Sequence, residues 1–337
     1  MLFRSDDLPV EFPVSGGVYR PRNFDNVFHG RGIPLRVALA SSLNVPAVKV
    51  LDLVGVESFA DRLLALGFEQ AARTGRYGPS LALGAIDVSL WELAQAYQTL
   101  ANGGVRIPLH WNPSAPVQKS GRILPAAPSF IVSQILADRE ARALAFGLSP
   151  VTNTRFWTAV KTGTSKDMRD NWCVGSSGRY TVAVWVGNSS GEPMWDVSGI
   201  TGAAPAWAEI LGYLHRSTAS REPVAPAGVV RFESAWYLRG TEHAAESAPA
   251  WVKILAPTEG EWMARDPDIP GMFQKIPLRA SGDPERLATL EWRMDDASLG
   301  AVGEASTVSI PERGPHQLKL VETGTGAVVD EVRFIVR

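Results

Sequence analysis

From about residue 34 to 146 the apolar residues of this chain keep helical spacing, then switch to strand spacing, and return to the helical period only once. That single change of period fixes the layers the chain can build. Upstream of it, 57–66 is amphipathic and stops at Gly67, which suits a left-handed cap. Ser89 with Glu92 writes a capping box ahead of Leu93, Ala94, Ala96, Tyr97 and Leu100, and Asn102-Gly103-Gly104 ends that helix. Pro46 is expected as a first helical residue behind Asn44, and 129–146 as one helix closed by Gly147. Downstream, 156–161, 171–175 and 180–187 are short β-rich runs parted by Gly, Ser and Asp. The last of them, Tyr-Thr-Val-Ala-Val-Trp-Val, is apolar enough to predict a central strand covered on both faces. Residues 205–213 predict a helix returning over that sheet. A helical block, an antiparallel sheet and a closing helix make an α+β domain.

A Pro- and Ala-rich stretch at 221–228 then predicts a linker. Beyond it lie β-like runs at 252–255, 275–278, 288–293, 317–322 and 328–336, broken by Pro257, Gly260, Asp283-Pro284 and Gly324, the spacing of a small all-β sandwich of Ig-like kind. The 337 residues suit two such domains, expected over 1–220 and 246–337 with 221–245 connecting them. A formal charge of −2 without a basic cluster excludes the phosphate-facing stripe of a nucleic-acid binder. The single cysteine, Cys173, rules out an intrachain disulfide and a four-cysteine zinc site, and its apolar neighbourhood suits a core residue. His29, His110, His215, His243 and His316 are scattered, so no metal is expected. Neither a phosphate loop nor a dinucleotide fingerprint occurs, so no cofactor is expected either. No apolar run reaches the ~18 residues of a membrane span, and the first residues lack the layout of a signal peptide. Taken at face value, that beginning reads as cytoplasmic.

Two short motifs carry chemistry. Lys161-Thr162-Gly163-Thr164 closes a predicted strand. It offers a fixed positive charge, two hydroxyl donors and a glycine that lets a ligand backbone approach, which suits a carboxylate held beside an edge strand. A strand ending in a polar turn accounts for the same four residues. Ser42-Leu43-Asn44 lies between two predicted helices. Asn44 offers a side-chain amide to a ligand amide and Ser42 a proton path, whereas capping of helix ends is the ordinary use of both.

Together, in this order and in these element types, the two motifs resemble the S-x-N and K-T-G signatures of the penicilloyl serine transferases. The surrounding words Ser-Leu-Asn-Val-Pro-Ala-Val, Gly-Gly-Val-Tyr-Arg-Pro-Arg-Asn-Phe-Asp and Leu-Ala-Leu-Gly-Ala-Ile-Asp-Val-Ser-Leu-Trp-Glu-Leu-Ala resemble the transpeptidase domain of class A penicillin-binding proteins. Lys-Thr-Gly-Thr-Ser with Arg169-Asp170-Asn171-Trp172 and Val184-Trp185-Val186-Gly187 is similar to the 1C subgroup. So are Trp236-Tyr237-Leu238 with Gly240-Thr241-Glu242, Asp266-Pro267-Asp268-Ile269-Pro270, and Trp292-Arg293.

The resemblance implies a β-lactamase/transpeptidase-like domain followed by the subgroup's C-terminal domain. It implies a peptidoglycan D,D-transpeptidase, part of a bifunctional glycosyltransferase/transpeptidase, acting through an acyl-enzyme on stem peptides ending in D-Ala-D-Ala and acylated by β-lactams. Lys161, Thr162 and Thr164 would hold the terminal carboxylate, with Gly163 between them. The Thr164 amide would be an oxyanion donor, Ser42 would relay a proton, and Asn44 would hold a substrate amide. The family works in the periplasm, anchored in the inner membrane, and cell-wall synthesis proteins are possible partners. The nucleophile motif S-x-x-K does not occur, because the residue three before each lysine is never serine. The expectation is therefore an N-terminally incomplete transpeptidase domain, inactive alone and marginally stable, beside a sandwich that folds independently. A non-catalytic binder of peptidoglycan or a partner is the alternative. A D,D-carboxypeptidase or serine β-lactamase, which lacks this tail, stands behind both. In the tail, Trp236, Trp251, Trp262 and Trp292 offer either a glycan-facing surface or ordinary packing.

Overall fold

The computed structural model describes residues 4–14, 17–72, 77–112, 114, 116, 119–147, 150–232, 235–242, 252–257, 260–266, 269–282, 284–303, 305 and 307–337. The chain forms two compact units, Met1–Phe28 with Ile33–Ser247, and His29–Gly32 with Ala248–Arg337. Helices and antiparallel sheets occupy successive stretches, the α+β arrangement that the change of period predicts.

Four short strands, β1 (Arg4–Asp7), β2 (Phe12–Val14), β3 (Gly17–Tyr19) and β4 (Gly30–Pro34), lead into helices α1 (Leu35–Ala40), α2 (Asn44–Val54), α3 (Val56–Leu66) and α4 (Leu90–Ala101). Gly67 closes α3 in the left-handed conformation, and Ser89 and Glu92 cap α4 reciprocally. Helix α2 begins at Asn44, two residues before Pro46. A first-turn proline is tolerated there because the first amides have no intrahelical acceptor. A minimal hairpin, β5 (Val105–Arg106) with β6 (Gly121–Arg122), precedes the next helical stretch.

The single helix expected over 129–146 is two, α5 (Ala126–Ala137) and α6 (Arg139–Phe146), because Asp138 takes extended dihedrals between them. Its carboxylate accepts the Ala141 amide at 2.9 Å and pairs with Arg36 at 2.8 Å. The break is thus held by a cap and by a contact from a distant helix. Asp138→Ala is expected to lower stability by about 1–3 kcal/mol through loss of both, read as a urea midpoint shift without change of slope.

Strands β7 (Thr158–Thr164), β8 (Asp170–Ser177) and β9 (Thr181–Gly187) form an antiparallel sheet in that order. The run expected in the centre, β9, is therefore at an edge, although α4 covers it on one face and α7 (Ala204–Leu214) on the other. The central strand is β8. Its small residues let helices sit close: a Cβ on Gly175 would lie 2.9 Å from the indole of the fully buried Trp207. Within the connecting segment expected at 221–245, β10 (Val229–Phe232) pairs with β11 (Ala235–Leu238) as a hairpin. Trp236 meets Phe130 of α5 edge-on at 5.0 Å, so that indole packs within this unit.

In the second unit β12 (Val252–Ala256), β13 (Trp262–Met263), β14 (Lys275–Pro277) and β15 (Arg279–Gly282) precede a single turn, α8 (Pro284–Leu287). Strands β16 (Leu290–Met294), β17 (Ala297–Ala301), β18 (Thr307–Ser309), β19 (Gly314–Glu322) and β20 (Val328–Val336) follow. The main sheet runs β13-β20-β19-β16-β17, and β12-β15 and β14-β18 pair separately. Alternation along β20 buries Val332, Phe334 and Val336 with Trp292, Leu318 and Leu320, the strand periodicity of a core packed on one face. The Ile254 amide donates to Asp330 at 2.7 Å and ties β12 to β20. Trp292 is core, and Trp262 is exposed with the Arg337 guanidinium over its ring. Trp251, Asp283, Pro267, Asp268 and the boundary expected at 246 lie outside the described residues.

Candidate active site

The site is assembled on β7, whose last four residues are the Lys-Thr-Gly-Thr motif. Side chains alternate along a strand, so Lys161 and Gly163 face the helical block while Thr162 and Thr164 face α7. Backbone groups alternate too. The Ser165 amide donates to the Asp170 carbonyl, so odd-numbered residues bond to β8. The N–H and C=O of Thr162 and Thr164 then point away from β8, along the other edge of the strand. Among the described residues no strand pairs with that edge.

Ser42 sits in the two-bond turn between α1 and α2, with its amide on the Leu39 carbonyl and the Leu43 amide on that of Ala38. Ser41 hooks the same turn to α6 through the Ala141 carbonyl at 2.7 Å. The backbone of Ser42 is left-handed, at φ 59°, a conformation that a serine adopts at a cost of order 1 kcal/mol. The turn aims its hydroxyl at β7, where Lys161 Nζ donates to Ser42 Oγ at 2.5 Å and to the Thr162 carbonyl at 2.6 Å. The two motifs therefore meet. Because the lysine donates, the serine's own hydrogen is directed elsewhere.

Asn44 is two residues on, and chain geometry keeps its Cα within about 7 Å of that of Ser42. Its amide nitrogen donates to the Arg22 carbonyl at 2.8 Å, and its backbone N–H donates to Asn23 Oδ1 at 2.8 Å. Asn23 is buried and donates in turn to Asp7 at 2.7 Å. The N-cap of α2 is Leu43, with no side-chain cap bond. The ordinary explanation for Ser42 and Asn44, capping of α2, therefore fails. Asn44 keeps one amide hydrogen and its carbonyl oxygen outside these bonds.

At the far end of the motif Thr164 Oγ1 accepts the Gly199 amide at 2.9 Å, leaving the hydroxyl hydrogen to donate. Gly199 opens the single π turn Gly199–Ala203 that runs into α7. A Cβ there would lie 2.5 Å from the Gly163 carbonyl oxygen. Gly163 itself is different: a Cβ would meet Trp172 atoms only at 3.7 and 3.8 Å, ordinary contact. Protein packing does not demand glycine at 163.

Burial lowers the Lys161 ammonium to about 8, and the nearby Arg142 guanidinium pushes the same way. Burial raises the Cys173 thiol to about 12, and that residue is core on the α7 face of the sheet. Among the described residues no group of three His, Cys, Asp or Glu could hold a metal. Three contributors escape a reading of the sequence. Gly199 carries no motif. Asp170 brackets the β7-β8 turn through Ser165 and the Trp185 indole, and only its place after Arg169 hints at this. Arg142 has the text of a solvated helical arginine and is buried.

The profile described as the penicillin binding protein transpeptidase domain matches residues 11–192, more than half of the chain. The chain belongs to the penicillin-binding protein transpeptidase family. The penicillin-binding protein C-terminus family matches 241–334. Penicillin-binding protein 1C of Escherichia coli (strain K12) is 33% identical over 237 residues, 70% of this chain and 30% of that protein. Penicillin-binding protein 1B of Vibrio cholerae is 33% identical over 218 residues, 62% of this chain and 28% of that protein. The chain thus spans under a third of these relatives. The structure of penicillin-binding protein 1A from Haemophilus influenzae shares the fold at a TM-score of 0.59 and 20% identity, over 71% of this chain and 45% of that one. That of PonA1 from Mycobacterium tuberculosis does so at 0.53 and 21%, over 68% and 70%. In the penicillin-binding fold described here no helix among the described residues is long and apolar enough to cross a membrane.

Proposed function

We propose that this chain supplies the substrate-gripping side of a peptidoglycan D,D-transpeptidase. The observation that carries the reading is the Lys161–Ser42 contact beside the open edge of β7. A peptide ending in D-Ala-D-Ala lies along that edge as an added strand. Its carboxylate takes the Lys161 ammonium and the Thr162 and Thr164 hydroxyls, and Gly163 leaves room for its backbone. The Thr164 amide is one donor to the oxyanion of the scissile carbonyl, worth roughly 3 kcal/mol in such sites. Ser42, whose oxygen is occupied by Lys161, turns its hydrogen to the leaving nitrogen. Asn44 holds a side-chain amide of the stem peptide.

The acyl-enzyme of this chemistry needs a serine activated by an adjacent base, and these 337 residues contain no S-x-x-K. The chain is accordingly proposed to bind the acyl-D-Ala-D-Ala end without being acylated, at the periplasmic face where cell-wall synthesis proteins are its neighbours. Calorimetry with an N-acyl-D-Ala-D-Ala peptide and labelling with a fluorescent penicillin test this together. Stereospecific binding without covalent label is the expected pair. Covalent label contradicts the inactivity of the chain, and absence of binding contradicts the site.

The pH dependence follows from Lys161. A carboxylate prefers the charged lysine, so affinity is flat below a pH of about 8 and falls above it, roughly tenfold per unit. Gly163→Ala is expected to leave the melting temperature unchanged and to weaken the same peptide at least about tenfold, because only the ligand opposes a methyl there.

A further inference from the structure

Arg142, on α6, is 5% exposed, and a guanidinium keeps its charge when buried. Its donors reach the Thr152 hydroxyl at 3.2 Å and the Leu136 carbonyl, both neutral. Among the described residues no carboxylate pairs with it. Asp138 is the carboxylate that acts on it from nearby, and that group is already committed to Arg36 and to the cap of α6. Arg139 and Lys161 add positive charge to the same neighbourhood. A buried cation in such surroundings is costly unless an anion offsets it.

Arg142 and Lys161 line one small cavity beside β7, with Thr152, Thr162, Phe146 and Ile200 among its other walls. Its volume, about 10 Å³, is that of one water-sized occupant. A monatomic ion is nearer to that size than a carboxylate or a phosphate. Two cations, the Thr152 hydroxyl and apolar walls describe a pocket for a weakly hydrated single ion.

We propose that this cavity binds one small monovalent anion of halide size, held between Lys161 and Arg142 with the Thr152 hydroxyl as a neutral donor. The proposal shares Lys161 with the transpeptidase reading but does not depend on it, since Arg142 and Thr152 have no part in that reading. Occupancy favours the charged form of Lys161, so chloride shifts upward the pH at which that group loses its proton.

The test compares melting of the 337-residue chain in sodium chloride and in sodium gluconate at equal ionic strength and neutral pH. Chloride is expected to raise the midpoint by about 3 °C at ten times its dissociation constant, and to saturate. Arg142→Gln is expected to abolish the difference between the salts. Thr152→Val keeps both cations and is expected to shift half-saturation to higher chloride, which preserves the test if the arginine variant does not fold. Crystals soaked in bromide are expected to show an anomalous peak in contact with both cations. Identical melting in the two salts, a chloride effect that survives Arg142→Gln, or no bromide at this position would each overturn the proposal.

Discussion

Lys161→Met is expected to stabilise the first unit at neutral pH and to weaken its binding of acyl-D-Ala-D-Ala. The lysine's proton affinity falls from an ordinary 10.5 to about 8 on folding. The unfolded chain therefore holds the proton more tightly. Below a pH of about 8 the folded state bears the whole penalty of the charge, and between about 8 and 10.5 the penalty is relieved as pH rises. Its full size is about 3 kcal/mol. Methionine removes it but forfeits the bonds to Ser42 and the Thr162 carbonyl, worth roughly 1 kcal/mol each. The net gain is on the order of 1 kcal/mol at neutral pH and turns into a loss of roughly 2 kcal/mol in alkali, where only the forfeited bonds count. Affinity is expected to fall by roughly 10- to 150-fold, the worth of a charge-assisted bond to a carboxylate. Urea midpoints and calorimetry at neutral and alkaline pH check both halves. A variant that loses stability at neutral pH while binding normally would assign Lys161 a purely structural place.

Gly199→Ala is expected to produce the opposite pattern, with loss of both stability and binding. The added methyl would stand 2.5 Å from the Gly163 oxygen, 2.7 Å from the Trp172 oxygen and 3.1 Å from the Gly163 nitrogen. All three are backbone atoms of paired strands, which cannot swing aside as a side chain would. The π turn must lift off β7, and its amide then leaves Thr164 Oγ1. Strain of this kind costs about 1–3 kcal/mol, and the freed Thr164 hydroxyl loses the orientation that directs its hydrogen toward a carboxylate. Gly163→Ala is the control on the same motif, because its methyl has room against Trp172. If the two variants are equally destabilised, the contact geometry at Gly199 is not what holds this end of the site.

What could be read from the sequence was local. The Ser89–Glu92 box and the Gly67 cap are contained within one turn of chain, and both form as written. Elements decided by distant partners were misjudged. Asp138 looks like any helical aspartate until Arg36 reaches it, and the expected single helix breaks there. Strand β9 has the more apolar text, yet β8 is central because Gly175 and Cys173 admit the Trp207 side of the sandwich so closely. The motif residues Ser42 and Lys161 could be paired from their types and order. Arg142 and Gly199 could not, since burial of an arginine and an approach of two backbones are facts of the tertiary fold.

The claim on which the functional account rests is that an anionic peptide end docks beside β7. A crystal of the chain soaked with an N-acyl-D-Ala-D-Ala peptide tests it most directly. The account predicts the terminal carboxylate in hydrogen-bond contact with Lys161 Nζ and the Thr164 hydroxyl, with the peptide running antiparallel to Thr162–Thr164. A peptide bound elsewhere on the domain, with this edge unchanged, would contradict it.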